Sequence, residues 1–181
     1  MNYYGVHDIA RGFRTVRKNT IQLAGEIPEE QYGFTPAPGT RSVAQTLVHV
    51  AVMPRLQLII HKELHLSALT GFDFFATVGA LIGEEQQPRT KAEIIGLLTD
   101  QGEQYAAWIE SLDDAFLGEF VEYPAGMVPA RKSRFEMLIS PKEHEMHHRG
   151  QLMLTQRMLG IVPHLTRQTL AMIAQRQSAT A

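Results

Sequence analysis

Four long amphipathic stretches, Gly- and Pro-rich segments between them, and no series of alternating strands predict an all-α fold, a four-helix bundle. A chain of 181 residues suits one domain that buries well over half of the surface it exposes when unfolded. The bundle is expected over residues 1–163, with 164–181 as a C-terminal extension, partly disordered or a short helix.

The first helix is predicted from Val6 to Glu26, because Ile9, Phe13, Val16, Thr20, Leu23 and Ile27 recur at spacings of three and four before the breaker-rich segment from Pro28 to Thr40. The second begins at Ser42, an N-cap residue, and runs through Val43, Leu47, Val50, Ala51, Leu58 and Ile59 to about Leu66. Pro54 lies inside it and predicts a kink. A long connection from Thr70 to Arg89 has room for a short helix of its own. Thr90 and Glu93 match a capping box that opens the third helix, which carries Ile94, Leu97, Leu98, Tyr105 and Trp108 and ends near Leu112. The second long connection, Asp113 to Lys132, reads as a short hairpin or an irregular lid. The fourth helix holds Phe135, Met137 and Leu138, continues from Glu143 to Leu159, and stops at Gly160. Ser140-Pro141-Lys142-Glu143 reads equally as a fresh capping box or as a kink in a longer helix, and the kink is preferred. Gln175 to Ala181 reads as a frayed tail.

Composition narrows the function classes. Hydrophobic residues make up 44% and charged residues 20% of a chain of net charge -2, which argues against a dedicated nucleic-acid binder. From Arg149 onward there are four arginines and no acidic residue, a mildly basic tail. The absence of cysteine removes disulfides, thiolate ligands and a cysteine nucleophile, so metal chemistry here uses nitrogen and oxygen. Met1 to Thr20 lacks the uninterrupted apolar core of a signal peptide. No apolar run approaches the ~20 residues of a membrane span, and a cytoplasmic location is expected.

The densest chemistry is His144-Glu145-Met146-His147-His148, within the fourth helix. Positions four apart lie about 40° apart around a helix, so His144 and His148 share a face one turn apart and can grip a single ion. A pairing of His144 with His147, about 60° away, leaves His148 unexplained. A third ligand has to come from elsewhere. His49, set among Leu47, Val48, Val50 and Ala51, is the best candidate, because a buried imidazole needs a partner. His61 lies about 18 Å along the helix axis from His49 and is rotated about 120° from it, so the two cannot serve one ion. His7, His61, His65 and His164 are assigned to the surface or to outer positions.

The same residues satisfy the His-Glu-x-x-His pattern of zinc proteases. The extended form requires a Gly and a His where this chain has Gln151 and Leu154, and no Asp or Glu follows Glu145 to supply a downstream ligand. Glu145 is left with two readings: a minor catalytic candidate that orients water, or, preferred, a surface pair with Arg149 four residues on.

Ser42-Val43 with Leu47, His49 and Ala51, together with His144, His148, Arg149, Gly150, Gln151 and Leu152, resembles the DinB-like superfamily of metal-binding four-helix proteins and its His-x-x-x-His-Arg-Gly-Gln-Leu signature. The resemblance implies that His49, His144 and His148 bind a divalent ion, Zn or Ni, with open positions. Pro141, Pro54 and the tail beyond Pro163 depart from the family pattern without touching a proposed ligand. Three imidazoles with an open position form a catalytic rather than a closed structural site. The resemblance further implies a metal-dependent, thiol-using transferase acting on a small electrophilic molecule, with a low-molecular-weight thiol as cosubstrate. The alternatives are a metal-assisted hydrolase that activates water and a non-catalytic metal-binding module. The expected assembly is a homodimer joined through helix faces, with a small-molecule substrate and neither nucleic acid nor membrane as partner.

Overall fold

The computed structural model describes residues 4–179, and its core is four helices: α1 (Val6–Glu26), α2 (Val43–Val52), α5 (Lys91–Glu110) and α7 (Arg134–Met158). α1 packs on α5 and α7, and α2 packs on the same two helices, so every bundle helix touches two others. The apolar spacing of α1 buries Ile9, Phe13, Val16, Leu23 and Ala24 on one stripe, as its period requires. Leu23, Leu47, Ile94, Leu98 and Leu152 meet in one apolar cluster, and Ile9, Phe13, Tyr105, Ile109 and Leu138 in a second. Burying each such side chain contributes ~1.5–3 kcal/mol against the entropy of ordering it.

Local chemistry sets the helix starts. Ser42 Oγ accepts from Gln45 N at 3.2 Å while Gln45 Oε1 accepts from Ser42 N at 2.9 Å, a reciprocal box that opens α2. Thr90 and Glu93 do the same for α5. The start of α7 corrects the reading of a fresh capping box at Ser140 and agrees with the preferred one in placing Pro141 inside a longer helix. Ser133 is the N-cap, boxed with Glu136 at 3.2 and 2.9 Å, and the helix runs continuously through Pro141. At the other end, Gly160 takes φ 77°, Ile161 N donates to Gln156 O and Gly160 N to Arg157 O, a Schellman closure that needs the left-handed glycine.

The predicted second helix is three pieces. α2 ends at Val52, a turn at Met53 and Pro54 follows, then a short α3 (Arg55–Gln57) and a π-helical turn (Leu58–Glu63) whose Leu64 N donates to Ile59 O, five residues back. The whole segment Val43–Glu63 is long and apolar enough to span a membrane, contrary to the expectation from composition, but 67% of its most apolar window is buried in the bundle. The first long connection holds α4 (Phe74–Gly83) and a 3-10 turn (Glu84–Gln86). The second holds α6 (Asp114–Gly118) and a hairpin of β1 (Phe120–Glu122) and β2 (Arg131–Ser133), paired antiparallel with Val121 opposite Lys132. In the C-terminal extension, α8 (His164–Ser178) takes the short-helix form, one of its two readings, and continues to Ser178, into the segment expected to fray, while residues 180–181 lie outside those described.

Candidate metal centre

α2 and α7 bring three imidazoles to one point. His49 comes from the buried face of α2, and His144 and His148 from successive turns of α7. His144 Nε2 lies 3.0 Å from His49 Nε2 and 3.1 Å from His148 Nε2. Their ring centroids are 4.5–4.8 Å apart, and their ligand atoms all lie within 4.8 Å of one another.

The outward-facing nitrogens decide what these contacts are. His49 Nδ1 donates to Glu85 Oε1 at 2.7 Å, and His148 Nδ1 donates to Gln151 Oε1 at 2.8 Å. A neutral imidazole carries one N–H, so both rings turn an unprotonated Nε2 toward His144. His144 Nε2 has at most one proton to offer when neutral, so hydrogen bonding cannot satisfy both neighbours. A divalent cation can accept all three lone pairs. Nitrogen donors at ~2.0–2.1 Å from a tetrahedral ion stand about 3.3 Å apart, close to the spacing found here. Burial favours the neutral, ligating form of every ring. It holds His49 and His148 below the usual histidine range and, reinforced by repulsion from His148 and His49, holds His144 down to about 4.

The outer partners are largely ones the sequence did not reveal. Glu85 follows α4 in the 3-10 turn, and its side chain is 3% exposed. Its carboxylate also takes Arg41 Nε at 2.5 Å, so an Arg41–Glu85–His49 chain orients the imidazole from behind. The neighbouring Glu84 points elsewhere, to Arg55 and Arg89, and nothing in the local pattern distinguishes the two. A cavity of about 770 Å³ adjoins the cluster, with Arg41, Thr46, Ile82, His148, Gln151 and Met158 among its walls.

The remaining site expectations divide. His147 is exposed and its Nε2 accepts from Gln151 Nε2 at 3.1 Å, outside the cluster. His7 and His65 are exposed as expected, whereas His61 and His164, expected at the surface or in outer positions, are each 1% exposed. His61 is enclosed because Arg134 Nη1 donates to its Nδ1 at 2.6 Å and Phe116 stacks edge-on against it. Glu145 is not in a surface pair with Arg149. It is 1% exposed and salt-bridged to Arg17 at 2.9 Å, because it turns into the bundle, where α1 brings the guanidinium.

The model of the DinB superfamily matches residues 13–152 of the chain. An uncharacterised Bacillus subtilis protein, YjoA, is 24% identical over 159 residues, covering 85% of this chain and 90% of its own length. Its crystal structure, described as that of a DinB-like protein, superposes with a TM-score of 0.62 at 23% identity over 84% of this chain and 91% of that one. An uncharacterised Clostridium difficile protein gives 0.67 at 14% identity over 87% of this chain and 98% of its own. A Streptococcus pneumoniae protein gives 0.65 at 16% identity over 87% and 93% of the two chains. These structural likenesses are of fold alone, but the family match covers most of the chain and all three histidines, and the chain belongs to the DinB superfamily.

Proposed function

We propose that the protein binds a divalent ion, zinc or nickel, through His49, His144 and His148 and uses it as a thiol-dependent transferase acting on a small electrophile. The observation that carries this reading is the set of three convergent Nε2 atoms beside a cavity of about 770 Å³. Three neutral nitrogen ligands leave an ion both net positive and coordinatively open, unlike a closed four-ligand structural site. An ion held by these residues would supply Lewis acidity, which lowers the pKa of a thiol and favours its thiolate at neutral pH. In the transfer, the S–H proton would pass to solvent water, an S–C bond would form as the bond from that carbon to the leaving group breaks, and the leaving group would depart with its bonding electrons. The chain has no cysteine, so the thiol arrives as a cosubstrate.

The protein's own contribution is orientation. Glu85 and Gln151 hold His49 and His148 in the tautomer that presents Nε2. Ile82, Leu152, Leu154 and Met158 give the cavity an apolar side, and Thr46, Gln45, Gln151 and Thr155 give it neutral hydrogen-bonding groups. No step is assigned to Glu145, whose carboxylate is engaged by Arg17.

The test is cobalt-substituted protein titrated with small thiols. A sulfur-to-cobalt charge-transfer band, together with thiol-dependent turnover of an electrophile panel, is expected. Turnover without thiol would replace this reading with a hydrolase. Tight metal binding with neither thiol ligation nor turnover would replace it with a metal-binding module.

A further inference from the structure

Inside the bundle lies a charged group that the proposed transfer chemistry does not use and that touches residues next in sequence to the ligands. Arg17, on α1, is 4% exposed, and a guanidinium inside a bundle is costly unless its charge is paired and its N–H groups are satisfied. Its Nε lies 3.0 Å from both carboxylate oxygens of Glu145, its Nη1 donates to Leu98 O at 2.7 Å, and its Nη2 donates to Val50 O at 3.0 Å. Those partners stand on α7, α5 and α2. One side chain therefore ties all four bundle helices together.

Two features of the sequence make room for it. A helical carbonyl normally accepts from the N–H four residues on, and for Val50 that residue is Pro54, which has none. The proline leaves the Val50 carbonyl open, and Arg17 fills it. On α5, a Cβ at Gly102 would stand 2.8 Å from Arg17 Cγ and 3.1 Å from its Nη1, so only glycine there lets the stem cross. Stability alone does not call for such an arrangement, since well-packed apolar residues in place of a buried ion pair are often neutral or stabilising.

The groups that Arg17 holds are the immediate neighbours of ligands. Val50 follows His49, and Glu145 follows His144. A shift of either helix backbone at Val50 or Glu145 carries the adjoining imidazole with it, and a metal site tolerates only about 0.5 Å of misplacement. We propose that Arg17 is a positioning residue of the metal site, fixing through Val50 and Glu145 the separation between the helix that carries His49 and the helix that carries His144 and His148. The inference rests on the proposed metal binding and on none of its catalytic detail.

The experiment is a cobalt(II) titration, by visible absorption and chelator competition, of the full chain, Gly102→Ala, and the double variant Arg17→Met/Glu145→Met. The single Arg17→Met variant strands a buried carboxylate, so the double variant removes both charges together. Circular dichroism and cooperative melting establish that each variant is folded. Wild-type protein is expected to bind one equivalent and His49→Ala to lose it; failure of that pair rejects the metal site itself, whereas failure of the positioning role requires that wild-type protein bind. Given wild-type binding, both folded variants are expected to bind cobalt about tenfold or more weakly, with displaced ligand-field bands. Should the double variant not fold, Gly102→Ala decides, because it displaces Arg17 by one methyl group and leaves every charge in place. Wild-type affinity and spectrum in the folded variants would overturn the proposal and leave Arg17 a purely structural tie.

Discussion

His49 Nδ1 donates to Glu85 Oε1 at 2.7 Å, so a carboxylate brought in by a long connection fixes the tautomer of an imidazole on a different helix. Outer partners of this kind raise ligand basicity and lock ring orientation. Glu85→Gln is expected to weaken zinc or nickel binding about 10–100-fold while leaving the helical content intact. Chelator-competition titration measures it, and wild-type affinity in the variant would show that the contact does not tune the ligand.

Removing a ligand has a larger effect than removing its support. His49→Ala, His144→Ala and His148→Ala are each expected to lose more affinity than the ~10–100-fold typical of an outer partner. His147→Ala, whose exposed ring hydrogen-bonds to Gln151 outside the cluster, is expected to stay within a few-fold of wild type. Elemental analysis of the four purified variants separates the two groups, and an intact metal content in any of the first three removes that residue from the site.

Metal that binds only the folded chain raises its stability by mass action. At one hundred times Kd the gain is about 2.7 kcal/mol, which for a chain of this size moves Tm upward by about 5–10 °C. Calorimetry before and after chelation checks this, and His49→Ala is expected to show no metal-dependent shift.

In the apo protein acid acts on His61 as well as on the three clustered imidazoles. Burial, with Arg134 beside it, holds His61 down to about 3, against 6.5 for an unperturbed histidine. The unfolded chain takes up the proton first, so the apo protein loses stability as pH falls from about 6.5 toward 3, by a few kcal/mol over the full range. His61→Gln is expected to flatten the fall in Tm between pH 7 and pH 4. An unchanged slope would place the acid sensitivity elsewhere.

The start of α7 is testable without any metal. Ser133 Oγ accepts from Glu136 N at 3.2 Å, so Ser133→Ala should cost about 1 kcal/mol in urea denaturation. Ser140, exposed within the helix, should change by less than about 0.5 kcal/mol on replacement by Ala. Equal effects would return the helix start to Pro141.

Much of this was legible because it is local. The 3.6-residue repeat placed α1 and α5 to within a few residues, Ser42 and Thr90 announced their capping boxes, and the spacing of His144 and His148 placed both on one face of α7. Pro141 left the start of the helix ambiguous because proline usually signals a helix boundary. α7 nonetheless continues through it, and the box that opens the helix stands at Ser133.

The sequence by itself determined the bundle helices and which histidines one turn of helix brings together, since backbone periodicity and capping are properties of neighbours along the chain. Only the tertiary structure decided that Glu85 rather than Glu84 meets His49, that His61 is buried, and that Glu145 faces Arg17 rather than Arg149. Glu85 lies 36 residues from His49 and Arg17 lies 128 from Glu145, separations over which residue spacing carries no directional information. Those contacts arise because packing four helices leaves buried charges and carbonyls that must find partners, and the partners available are set by which helix faces meet.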